Sequence, residues 1–96
     1  MSLTVRKGAY IPGTVQNLAT SGSSSQSSAV GATTTIIRIS VNADTYVAFG
    51  SSPTATSGSM IMPAGAIEFF AVTPGVTKVA VLQVTTAGIA SIVELA

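Results

Sequence analysis

The chain has 96 residues and only seven charges: Arg6, Lys7, Arg38 and Lys78 against Asp44, Glu68 and Glu94, for a net charge of +1. Serine and threonine, thirteen of each, take the place of charge, and Cys, His and Trp are absent. This excludes disulfides, thiolate nucleophiles and zinc-thiolate sites, and removes the commonest general base and metal ligand.

Residues 1–13, MSLTVRKGAYIPG, read as an N-terminal arm that holds two of the four cations and ends in a Pro-Gly turn signal. A strand around Thr4–Arg6 is possible within it. Next come a short strand, Val15–Ala19, and the tract SGSSSQSS (21–28), which reads as a flexible Ser-rich loop. From residue 33 the chain is dense in Val, Ile and Thr, whose branched Cβ favours strands. Strands are predicted at Thr33–Val41, Thr45–Gly50, Ser59–Met62, Ala66–Val72, Thr77–Val84 and Ile89–Leu95. Asn42 and Asp44 can cap a turn. Pro63-Ala-Gly65 and Pro74-Gly75 supply the fixed and positive φ of type II turns. Ser51-Ser-Pro53 opens a longer loop, and Thr86-Ala-Gly88 closes the last hairpin.

No segment carries a helical pattern. Seven or eight short antiparallel strands predict an all-β domain over residues 14–96, a β-sandwich with a jelly roll as first choice. A domain of this length can bury a core without disulfide or metal staples. The mean hydropathy is high (+0.62). Even so, the longest apolar stretch, Met60 to Val72, contains Pro63, Gly65 and Glu68 and is shorter than the ~20 residues of a spanning helix. The N-terminus lacks the apolar region of a secretory signal. No membrane association is expected. Four scattered cations are not the clustered basic face that nucleic acid or an anionic membrane requires.

Alternate residues of a strand point to opposite faces. Ile67, Phe69 and Ala71 therefore oppose Ala66, Glu68, Phe70 and Val72, and Val79 and Val81 oppose Ala80 and Leu82. Ile89, Val93 and Leu95 oppose Ala90 and Ile92. These last three strands are largely apolar on both faces, whereas a solitary sandwich shows water one face of each sheet. Their outer side chains are expected under loops or against other subunits. The sparse charge also leaves strand edges with little repulsion.

Chemistry-bearing constellations are few. Glu68 and Glu94 would have to meet across a substrate to act as an acid/base pair, and Glu68 is expected to face solvent or pair with Arg38 or Lys78. No loop carries two acids for calcium. No serine has a His or an SxxK partner, and no phosphate loop is present. No catalytic residue, metal or cofactor is expected. Of the adjacent Phe69 and Phe70, one is expected in the core, and the other beneath a loop or anchoring an interface. The residues expected to contact partners are Leu3, Val5, Arg6, Tyr10 and Ile11 of the arm, Ser51 and Pro53 of the long loop, and Phe70.

From Ile36 to Leu95 the chain runs from a strand through "YVAFGSSPTATSGSMIMPAG", "EFFAVTPGVTKVAVLQ" and "AGIASIVEL". With its "AFG" strand end, "MPAG" turn and "TPG" turn before a valine-rich strand, it resembles small β-sandwich structural proteins of tailed-bacteriophage particles. The resemblance covers about 60 of the 96 residues and none of the first 30. It implies a non-enzymatic capsid decoration or cement protein on the virion exterior, made in the host cytoplasm. It also implies binding to the major capsid protein, to other virion proteins and to further copies of itself. Alternatives are a head-fibre, neck or tail connector subunit, or a glycan- or receptor-binding sandwich.

Overall fold

A computed structural model describes residues 10–96. The candidate strand at Thr4–Arg6 lies outside them. Eight strands form: β1 (Pro12–Ala19), β2 (Ser25–Gln26), β3 (Ile36–Val41), β4 (Thr45–Gly50), β5 (Met60–Met62), β6 (Ile67–Ala71), β7 (Lys78–Gln83) and β8 (Ile89–Leu95). They make two four-stranded antiparallel sheets, β1-β8-β3-β6 and β2-β7-β4-β5. The first strand pairs the last, β2 pairs β7, β3 pairs β6 and β4 pairs β5. The β3–β8 and β4–β7 ladders then join these pairs into sheets. That nesting is the jelly-roll order of an eight-stranded sandwich.

The register sorts each strand's residues by face. Ile39 lies opposite Ile92 and Val41 opposite Ala90, all pointing inward and buried. They meet Val47 and Val81, which lie opposite each other in the second sheet. Each fully buried aliphatic side chain of this size contributes about 1.5–3 kcal/mol. Phe49 of β4 and Phe70 of β6 close the seam between the sheets at 4.8 Å between ring centroids.

The turns follow their residues. Ala66 N–H donates to the Pro63 carbonyl, with Gly65 at φ +84° between them. Val76 N–H donates to the Thr73 carbonyl across Pro74 and Gly75, the latter at φ +71°. Both are the type II arrangement. Asn42 and Asp44 work at longer range than a local cap. Asn42 Oδ1 accepts from Ile89 N–H at 2.7 Å, and Asp44 Oδ1 accepts from Ala64 N–H at 2.8 Å.

Two expectations change. The Ser-rich tract, expected as a flexible loop, contains β2 and is pinned from both sides. Ser27 N–H donates to the Val79 carbonyl, and Val79 N–H donates back to Ser27 Oγ at 2.9 Å. Ser28 N–H donates to Gln16 Oε1 at 2.8 Å. Short hydroxyl side chains bond backbone directly, so a serine run can serve as a sheet edge. The arm also ends earlier than residue 13. Ile11 exchanges both of its backbone hydrogen bonds with Ala96, and β1 begins at Pro12, a position where an edge strand tolerates proline.

Candidate protein-interaction surface

The two sheets have different outer faces. In the β2-β7-β4-β5 sheet, Ala48 and Ala80 lie opposite each other and point outward, yet Ala80 is wholly buried. The cover is the β4–β5 connection, residues 51–59. Ala55 N–H donates to Ser24 Oγ at 2.9 Å, and Ala55 is itself buried. Ser24 sits beside β2, on the far side of β7 from β4, so the loop crosses the sheet's outer face to reach it. The loop tip is tied to itself by Thr56 N–H donating to Ser59 Oγ at 3.0 Å and Gly58 N–H donating to Thr56 Oγ1 at 3.2 Å.

The β1-β8-β3-β6 sheet has the described chain reaching over its outer face only at Tyr10. Its outer residues fall into rows: Pro12, Leu95, Ile36 and Ala71; then Val15, Val93, Arg38 and Phe69; then Asn17, Ser91, Ser40 and Ile67. Val15 is 52% exposed, Ile67 58%, Phe69 55% and Ile89 49%. Asn17, Ser91 and Ser40 of the third row floor a shallow depression of about 350 Å³, walled by Val41, Asn42 and Ile89. Tyr10 stacks on Phe69 with 5.9 Å between centroids. β1 and β6 lie three strand spacings apart, about 14 Å, so this contact brings the chain entering β1 over the outer face. Arg38 is the charge in the middle row, and its buried Nε has no hydrogen-bond partner among the described residues.

The expected contact residues distribute as follows. Leu3, Val5 and Arg6 lie outside the described residues. Tyr10 and Ile11 are exposed at the margin of this face. Ser51 is exposed, while Pro53 is half-buried in the loop that covers the other sheet. Phe70 is corrected: it points inward onto Phe49, and Phe69 is the phenylalanine left outside. Adjacency showed that the two rings must diverge. The pairing of Phe70 with inward Ile37 decides which is which. Val15, Ile67, Phe69 and Ile89 are exposed on this face and were not among the expected contact residues, although the parity of their strands had already grouped Ile67 with Phe69.

The carboxylates are dispersed. Glu94 Oε1 accepts from Thr34 Oγ1 and from Gly31 N–H, latching the chain ahead of β3 to the end of β8. Glu68 is exposed on edge strand β6. It points to the opposite face from Arg38, since it pairs with inward Ile39. Glu68 and Glu94 flank β3 at registers two residues apart, which places their Cα atoms about 12 Å apart by strand geometry. Among the described residues, no group of three or more acidic, His or Cys side chains converges. What the arrangement offers is an apolar surface with hydrogen-bonding serines and asparagines at one end. Comparison with protein-family models, with curated proteins and with solved structures finds no match.

Proposed function

We propose that this chain is a non-enzymatic structural protein of a tailed-bacteriophage particle, a decoration or cement protein that binds the major capsid protein. The proposed contact is the outer face of the β1-β8-β3-β6 sheet together with the arm that enters over it. The supporting observation is a contrast between faces: on one sheet the chain's own loop buries Ala80 and leaves Ile61 exposed at the edge, and the other leaves Val15, Ile67, Phe69 and Ile89 exposed. Exposed apolar side chains grouped on one face, here Ile67 with Phe69 on β6 and Val15 with Ile89 toward β1, are the kind of surface that partners cover. A sandwich with few charges is suited to holding geometry between neighbours. The link to phage particles comes from the sequence resemblance, and a fold alone does not assign a role.

The test is location and copy number in purified particles. A decoration protein is present in hundreds of copies on the head, as counted by quantitative mass spectrometry and seen by cryo-electron microscopy. Six or twelve copies would place it at the neck or tail instead, and binding to glycans with none to heads would make it a receptor-binding module. Ile11 belongs to the sheet, so the arm should be removed after residue 9. That truncation is expected to melt like the full chain and to bind heads more weakly.

A further inference from the structure

A sandwich of two open sheets has four edge strands, and an exposed edge is a template for another strand unless something blunts it. Three of the four are blunted. β1 carries Pro12, a register shift between Pro12 and Val15, and the side chain of Gln16 clasping Ser28. β2 has only two residues, and β5 has three and runs into Pro63. β6, Ile67–Ala71, has five residues in unbroken register with β3. It contains neither proline nor glycine and has Glu68 as its single charge.

The hydrogen-bond pattern shows which groups this edge offers. Val72 N–H donates to the Thr35 carbonyl, and the Ala66 carbonyl accepts from Val41 N–H. Even-numbered residues therefore face β3. By the alternation of an antiparallel ladder, Ile67, Phe69 and Ala71 turn their N–H and C=O groups away from the sheet.

We infer that β6 pairs with β6 of a second copy of this chain, antiparallel about a two-fold axis at Phe69, joining the two β1-β8-β3-β6 sheets into one continuous sheet. The register follows from the free groups and the charge. Centred on Phe69, each of Ile67, Phe69 and Ala71 meets an outward-facing residue of the second copy: Ala71, Phe69 and Ile67 respectively. Centring on Phe70 would leave Ile67 outside the ladder. Centring on Glu68 would also set that carboxylate directly against its copy, a destabilising pair. With Phe69 at the centre, Glu68 instead lies opposite Phe70. The two Phe69 rings adjoin on the outer face, each already stacked on its own Tyr10, so two exposed aromatic pairs become one cluster. The same strand on both sides makes the interface isologous and closed, the commonest oligomer symmetry. This pairing does not depend on the phage reading, because it is measured on the isolated chain.

The full chain should sediment at twice its 9.5 kDa mass, and Phe69→Lys should sediment at that mass once while keeping the same circular dichroism spectrum. The absence of cysteine permits a sharper experiment. Directly opposed residues of a hydrogen-bonded pair have Cα atoms about 5.5 Å apart, within disulfide range. Phe69→Cys should therefore convert to a covalent dimer on mild oxidation, and Val15→Cys, on the opposite edge strand, should not. Deleting residues 1–9 should leave the dimer intact. A monomeric full chain would overturn the inference, as would a chain that dimerises only after that deletion, which would mean the edge is held by its own N-terminal segment. Cross-linking through Val15 in place of Phe69 would overturn it as well.

Discussion

The outer faces of the two sheets start from similar material and end differently. Ala48 and Ala80 on one sheet and Ile67, Phe69 and Val93 on the other all point away from the core. On the first, the β4–β5 loop crosses over and hooks Ser24, so Ala80 is buried although it points outward, while Ile61 at the β5 edge stays exposed. On the second, Tyr10 reaches over to Phe69 and Val93 is buried, while Val15, Ile67, Phe69 and Ile89 stay exposed. A face closed by its own chain contributes to folding. A face left exposed at this hydrophobicity is the one proposed to serve assembly. The same alternation in sequence therefore serves two ends, and the difference is made by a loop elsewhere in the chain.

Substituting the same residue on the two faces should separate them. Ala80→Glu forces an unpaired carboxylate under the loop and should destabilise the chain by about 3 kcal/mol or more, read by urea denaturation as a lower midpoint. If Ala80→Glu is tolerated, the loop is not a cover. Ser24→Ala removes the acceptor that holds Ala55 N–H. It should cost about 1 kcal/mol, with faster amide exchange across residues 51–59 and little change at β8. Ile67→Glu introduces the same charge on the open face and should change the stability of the isolated domain by less than about 0.5 kcal/mol. A loss comparable to Ala80→Glu would show that Ile67 is covered within its own chain.

Much of this architecture is legible in the sequence because strands announce themselves by period and by turn chemistry. β4 and β8 fall on their predicted bounds. The turns at 63–66 and 73–76 form where proline and glycine place them. β3 starts later than predicted because Thr34 N–H turns back to the Gly31 carbonyl, a local bond that β-propensity does not register. The Ser-rich tract was misread for a different reason. Its partners, Val79, Gln16 and Ala55, lie far away in the chain, and low complexity says nothing of distant acceptors. The proposed interaction surface was half legible. Parity placed Ile67 and Phe69 together, but only register with β3 turns that pair outward and sends Phe70 to the core.

The central claim is that the open face of the β1-β8-β3-β6 sheet is where this chain meets its partner. The most direct measurement is occupancy on purified phage heads that lack the chain, titrated with wild type and with Ile67→Glu of matched thermal stability. The account predicts saturation by the wild type and at least a tenfold weaker association for Ile67→Glu, a difference of about 1.4 kcal/mol. Equal occupancy by the two proteins would contradict it.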